Sequence, residues 1–304
     1  MTVSVPAIAH ANGIDICYQT FGEAGAAPML LIMGLAGQMI SWEDDFCTQL
    51  AARGFRVIRF DNRDVGHSTH FGAAKPFDPV ATLMAALQGR PIVAPYSLAD
   101  MAADTIGLMD ALAIGTAHVV GASMGGAIAQ TMAIEHPERL RTLTSIMSTT
   151  GAPDLPPPTA EAMAVLFGGQ VPSAADPSSF LASFLQTWQV LRGPGFSADD
   201  ARDVERAGQS FARGIDPAGA MRQLAAVLGS GSRREALRNV EVPTLVIHGR
   251  ADPLVPLACG IDTAQAIPGA ELLVLDGMGH ALPIALWPQI IDAIARHAAG
   301  GAPH

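Results

Sequence analysis

The chain has 304 residues, 49% hydrophobic against 15% charged, which is enough apolar matter for one large core and too much for a disordered polymer. A formal net charge of -10, with no cluster of Lys or Arg, argues against a phosphate-backbone partner, so no nucleic acid is expected. No signal-like start and no apolar stretch long enough to span a bilayer is visible, and Cys17, Cys47 and Cys259 are far apart. The expectation is a cytoplasmic protein with reduced thiols and no integral membrane segment.

Two short strand patterns, 7–10 and 14–20, flank the turn pair Asn12-Gly13. Residues 29–33 are a continuous apolar run, and 42–52 have helical spacing with Ser41 as cap and Gly54 beyond the end; 56–60 are strand-like again. This is a strand-helix-strand unit whose strands are buried on both faces. An irregular excursion over 71–95 carries Phe77, Leu83, Met84 and Leu87, the material for a pocket wall. Ser97 with Asp100 makes a capping-box start for a helix over 98–113, and Gly115 follows it. Next come a strand at 117–121, a helix at 124–136 stopped by Pro137, and a strand at 142–147. Strands at 244–248 and 271–275 and a helix at 287–297 complete the pattern. Strands alternating with helices predict an α/β fold, a mostly parallel central sheet flanked by helices.

Residues 151–238 break the alternation. Pro153 and the run Pro156-Pro157-Pro158 open a segment that reads as several helices without a strand. The core is therefore expected to comprise 1–150 and 239–304, with 151–238 as a helical cap. Phe180, Phe184, Trp188 and Leu191 recur on one face of a cap helix. That face packs the insertion onto the body, roofs an apolar pocket, or does both; a second copy of the chain is a further partner it permits, in a homo-oligomer.

The chemistry concentrates at Gly121-Ala122-Ser123-Met124-Gly125, between a strand and a helix. Glycines two residues either side of Ser123 allow the sharp turn that presents a serine hydroxyl at the sheet edge. A serine needs a base, and the base needs an oriented tautomer. His280 follows the strand at 271–275 and Asp252 follows the strand at 244–248, so both loops leave the same edge of a parallel sheet. Asp276 is the rival acid, disfavoured because one loop would supply both it and His280; His248, His118 and His136 suit strand ends and helix termini. An oxyanion requires backbone donors, for which the amides of Met124 and of Leu35, in the loop Gly34-Leu35-Ala36-Gly37, are the candidates. Gly34, Phe180, Phe184 and Trp188 are the expected pocket residues. That loop lacks the dinucleotide spacing and the Walker lysine, and no His-Glu-x-x-His string occurs, so no cofactor and no metal are expected.

Taken with Met33-Gly34 and the stretch Asp61-Asn62-Arg63-Asp64-Val65-Gly66-His67-Ser68, these pieces in this order resemble an α/β-hydrolase-fold serine hydrolase over nearly the whole chain. The form of the Asp61 to Ser68 stretch is similar to that of the aclacinomycin methylesterase-like carboxylesterases. The resemblance implies cofactor-free cleavage of a small to medium, moderately apolar carboxylic ester, with Ser123, Asp252 and His280 as the triad. Lactone hydrolysis, perhydrolysis of the non-haem haloperoxidase kind and carbon-carbon bond hydrolysis share the same triad and stand as alternatives. Two departures are Met33 where relatives carry histidine, and Asp64 where many carry glycine. Arg63 and Asp64 are expected to tie their loop together by ion pairing rather than to bind substrate.

Overall fold

The computed structural model describes residues 2–72, 78, 82, 84–85, 88, 90–167 and 176–300, which exclude Phe77, Leu83 and Leu87 of the expected second wall. The apolar runs form β1 (Ala7–Ala11), β2 (Ile14–Phe21), β3 (Ala27–Ile32), β4 (Phe55–Phe60), β5 (Ala117–Ala122), β6 (Leu140–Ile146), β7 (Thr244–Gly249) and β8 (Glu271–Leu275). They make one sheet in the order β1-β2-β4-β3-β5-β6-β7-β8. β2 runs antiparallel to β1 and β4, and every later pairing is parallel. The sheet is that of an α/β hydrolase fold, with β5 at its centre.

Alternation along the central strands sends side chains into two cores. Leu30, Ile32 and Val119 face one core with α2 (Leu98–Ala111) and α3 (Met124–Glu135). Met29, Leu31 and Val120 face the other, with α1 (Asp44–Ala51) and α10 (Trp287–Gly300). Helices on both faces explain why β5 and β7 are buried at every position, and why those strands read as unbroken apolar runs. Between β6 and β7 lie α4 (Ala160–Phe167), α5 (Pro177–Leu191), α6 (Asp200–Ala212), α7 (Pro217–Gly229) and α8 (Arg234–Leu237); α9 (Leu257–Ala266) precedes β8.

The expected capping box is present: Ser97 accepts from the Asp100 amide while the Asp100 carboxylate accepts from the Ser97 amide. The expected start of α1 is not. A short 3-10 turn, Met39–Ser41, comes first, and α1 begins after Glu43 because Trp42 turns inward and is buried against Phe46. Cys17, Cys47 and Cys259 are free and buried, and burial pushes the Cys47 thiol up to about 12. Among the described residues no helix is long and apolar enough to cross a membrane.

His118 on β5 is buried between the edge of the Phe55 ring and Thr142, whose hydroxyl is 2.9 Å from Nδ1. Burial, helped by the positive fields of Arg141 and His297, holds its pKa down at about 4. The unfolded chain takes up this proton near 6.5 and the folded chain resists until about 4, so the contribution to stability is complete above the first value and lost as pH falls towards the second. His118→Gln should therefore lose less stability than the unaltered protein between pH 7 and pH 5, by on the order of 1 kcal/mol, read from urea unfolding at the two pH values. Equal losses in both proteins would refute this role.

Candidate active site

β5 ends in a turn that only a special backbone permits. Ser123 has φ 56° and ψ -120°, a left-handed conformation that costs a residue with a side chain about 1 to 3 kcal/mol. The neighbouring glycines are required by contact: a Cβ on Gly121 would lie 2.1 Å from the Gly125 carbonyl oxygen, and one on Gly125 would lie 2.1 Å from that of Ile32. The turn is held by the Ser123 amide donating to Ile146 at 2.9 Å and by the Ser148 hydroxyl donating to the Ser123 carbonyl at 2.8 Å. Ser123 is left half-buried at the C-terminal edge of the sheet, with Met124 opening α3.

Asp252 and His280 meet Ser123 there. His280 Nδ1 is 2.8 Å from Asp252 Oδ2, and Nε2 is 2.9 Å from Ser123 Oγ. A carboxylate accepts only, so Nδ1 carries the proton and Nε2 is free to accept from the serine hydroxyl. Asp252 is fully buried at its side chain, and its Oδ1 accepts from the amides of Leu254 and Val255 at 2.9 and 2.8 Å. These donors stabilise the charged carboxylate and fix its aim. Asp276, the rival acid, is exposed and pairs with Arg250. His248 lies beneath the site with Nε2 donating to the Val255 carbonyl at 2.7 Å; burial pushes its pKa down, which keeps it neutral. His136 caps the end of α3, as its position in the sequence indicated.

Because β3 and β5 are neighbours, the loop after β3 lies over the elbow. A Cβ on Gly34 would be 3.0 Å from Ser123 Cβ and 3.4 Å from its Oγ. The Gly34 carbonyl accepts from the Gly37 amide at 3.1 Å, and in a planar trans peptide this turns the Leu35 amide to the opposite side. Asn62 donates to the Met33 carbonyl at 2.9 Å, supporting the loop where a histidine side chain is absent. The Met124 amide is a first-turn donor of α3, free of an intrahelical acceptor by the geometry of a helix start.

Arg63 and Asp64 do tie structure together, but across the molecule. Arg63 makes two bonds to Asp104 of α2, at 2.6 and 2.7 Å. Asp64 accepts two bonds from one edge of the Arg222 guanidinium of α7, from Nε at 2.9 Å and a terminal nitrogen at 2.8 Å, and also accepts from the Tyr96 hydroxyl at 2.7 Å and the Phe71 amide at 2.8 Å. Burial and the adjacent Asp64 keep the Tyr96 phenol protonated, far above its usual range, so it remains a donor. Asp61 likewise accepts from Arg213 at the end of α6. Asp64, His70 and Asp216 have ligand atoms within 4.8 Å of one another, and the positive charge between the two carboxylates is the Arg222 guanidinium.

The expected pocket aromatics are engaged within the insertion. Phe180 meets Phe184 and Phe211, Phe184 meets Trp188, and Arg206 of α6 sits over both Phe184 and Trp188. The stripe thus joins α5 to α6, since two amphipathic helices bury their apolar faces on each other before either reaches the sheet. The end of α5 touches the histidine loop directly: the amides of His280 and Gly279 donate to the carbonyls of Leu191 and Arg192 at 2.6 and 3.0 Å. Neither Arg222 nor Gln223 of α7 carried a sequence signal, because Asp64 and Arg63, to which they bond, lie 158 and 160 residues away.

A mostly parallel sheet with a strained serine elbow and a Ser-His-Asp relay on its C-terminal rim defines the α/β hydrolase class. The sequence matches the alpha/beta hydrolase fold family over residues 27–284, and the chain belongs to that family. It is similar to rhodomycin D methylesterase DnrP of Streptomyces peucetius, 31% identical over 303 residues covering 93% of this chain and 95% of that protein. It is 32% identical over 216 residues to a 2-hydroxymuconate semialdehyde hydrolase of Pseudomonas putida, covering 67% and 68% of the two chains. A meta-cleavage product hydrolase from Pseudomonas fluorescens shares the fold at a TM-score of 0.73 and 21% identity, over 97% of this chain and 98% of that one.

Proposed function

We propose that this protein is a serine carboxylesterase acting on a small to medium, moderately apolar ester through an acyl-enzyme. The observation that carries the reading is the unbroken line of hydrogen bonds from Ser123 Oγ through His280 to the buried Asp252. Ser123 attacks the ester carbonyl as its proton passes to His280 Nε2. Asp252 holds the imidazolium, and the Leu35 and Met124 amides hold the tetrahedral oxyanion. His280 then protonates the departing alcohol, and a water that gives its proton to the same nitrogen releases the acid. The cycle requires no cofactor.

Similarity to a rhodomycin D methylesterase along almost the full length favours an ester of a carboxylic acid with a small alcohol. Residues 151–238 act as the cap over the site, 1–150 and 239–304 as the catalytic body, and the setting is cytoplasmic. Gly34 forms the floor of the pocket beside Ser123, whereas Phe180, Phe184 and Trp188 serve it by holding α5 against α6. Similarity to the semialdehyde hydrolase supports a second reading, carbon-carbon bond hydrolysis by the same triad. Turnover of methyl esters of aromatic acids, compared with turnover of a vinylogous diketone acid, separates the two. Ester cleavage with a Ser123 acyl adduct supports the first; diketone cleavage alone replaces it.

The seam between α5 and the histidine loop makes a prediction. A Cβ on Gly279 would lie 2.3 Å from the Leu191 carbonyl oxygen and 2.5 Å from the Gly193 nitrogen. Gly279→Ala must push this loop away from α5 and carry His280 with it. Ester kcat should fall by about 100-fold, as expected for a displacement of the order of 1 Å in a catalytic group. Steady-state kinetics with unchanged kcat would show that the seam does not place the histidine.

A further inference from the structure

We infer that Gln223 of α7, a residue of the insertion, is a positioning residue that sets the oxyanion loop in its working conformation. The inference rests on the esterase reading and on the Leu35 amide as a donor within it. Gln223 is fully buried, and its carboxamide spans two loops: Oε1 accepts from the Ala36 amide at 2.8 Å, and Nε2 donates to the Arg63 carbonyl at 2.7 Å.

The need for such a brace is visible in the loop. The bond from the Gly37 amide to the Gly34 carbonyl closes a four-residue turn in which Ala36, the third residue, has φ 56°. That position of a type II-like turn favours glycine, and here it holds alanine. A flip of the peptide between Leu35 and Ala36 would let Ala36 leave the left-handed region. The Ala36 amide, which that flip would turn away, is the group Gln223 holds. Asn62 fixes the other flank through the Met33 carbonyl, so the Leu35 amide lies between two side-chain anchors, one from the body and one from the insertion. Gln223 is itself kept in place by its neighbour Arg222, which is locked onto Asp64. The cap thereby contributes to the electrostatics of the reaction through a residue that need not touch substrate.

Two variants break the same bond from opposite ends. Gln223→Met keeps the volume and loses both hydrogen bonds; Ala36→Pro, at an exposed position, removes the amide hydrogen and forbids the positive φ. Each is compared with the unaltered enzyme in ester turnover and in affinity for an alkyl trifluoromethyl ketone. Ser123 Oγ bonds to the ketone carbon of that probe, its proton passes to His280, and the ketone oxygen becomes an oxyanion. The expected result for both variants is a fall in kcat of about 10- to 100-fold, KM within about threefold, and a matching loss of ketone affinity. Gln223→Glu, which keeps an acceptor for the Ala36 amide, should recover part of both losses relative to Gln223→Met. Should Gln223→Met not fold, Gln223→Ala, which also removes both hydrogen bonds, takes its place. Native kcat and ketone affinity in a folded variant, or a loss confined to KM, overturns the inference. The unaltered enzyme is assayed first: absence of ester turnover and of a Ser123 adduct there would reject the esterase reading itself, whereas their presence with silent variants rejects only the role of Gln223.

Discussion

Ser123→Ala is expected to lower ester turnover by about 10⁴- to 10⁶-fold while leaving the fold intact. The size follows from the relay: without the hydroxyl, His280 has no proton to accept from a nucleophile and no acyl-enzyme forms, so only binding and the oxyanion donors remain. Retention of the fold follows from how the elbow is held. Its bonds run through the Ser123 backbone to Ile146 and Ser148, and the glycine contacts are made by Gly121 and Gly125. Alanine inherits the left-handed φ with the same strain as serine and loses only the bond to His280. A stability change within about 0.5 kcal/mol is expected from thermal or urea unfolding. Mass mapping after treatment with a fluorophosphonate should find the adduct on Ser123 and none in the alanine variant. Wild-type turnover in Ser123→Ala would remove the nucleophile and, with it, the mechanism.

The residues that meet at the sheet edge were legible because each follows a strand, and a parallel sheet brings the ends of its strands together. Ser123, Asp252 and His280 are separated by long stretches of sequence, yet they belong to the loops after β5, β7 and β8, which the topology aligns. The capping box at Ser97 was legible because both partners lie within one turn of helix. What stayed hidden depends on pairings between distant side chains. Arg63 and Asp64 read as a loop tied to itself, but their partners Asp104, Tyr96 and Arg222 lie on other elements, and nothing in the local pattern names a partner 158 positions away. The aromatic stripe on α5 gave the face and not its occupant, since Phe211 and Arg206 satisfy the same periodicity as a substrate would. The start of α1 was misplaced because Trp42 fits the helical period by spacing while packing into the core from the turn before it.

The largest effect on stability should come from Arg222→Met. Asp64 is 1% exposed and its side chain is fully buried, with the two guanidinium bonds as its charged support. Removing Arg222 leaves a carboxylate in the interior with the Tyr96 hydroxyl and the Phe71 amide, two neutral donors, against the full cost of its lost hydration. Breaking a buried pair from one side in this way costs about 3 to 5 kcal/mol. Arg222→Lys should recover little of it, because one ammonium cannot supply the two parallel bonds to Asp64 together with the third, to Asp216 at 3.0 Å. Asp64→Asn combined with Arg222→Met should be milder than Arg222→Met alone, since no unpaired charge remains buried, and this ordering separates the electrostatic account from a simple loss of packing. Urea unfolding of the three variants measures it. The pair also joins the loop after β4 to α7, so Arg222→Met should loosen α7 before the sheet unfolds and lower ester kcat along with stability. Amide hydrogen exchange concentrated in α7, at urea concentrations where β5 and β6 stay protected, is the expected pattern; uniform loss of protection throughout the chain would mean that the ion pair stabilises the whole fold and does not specifically clamp the insertion onto it.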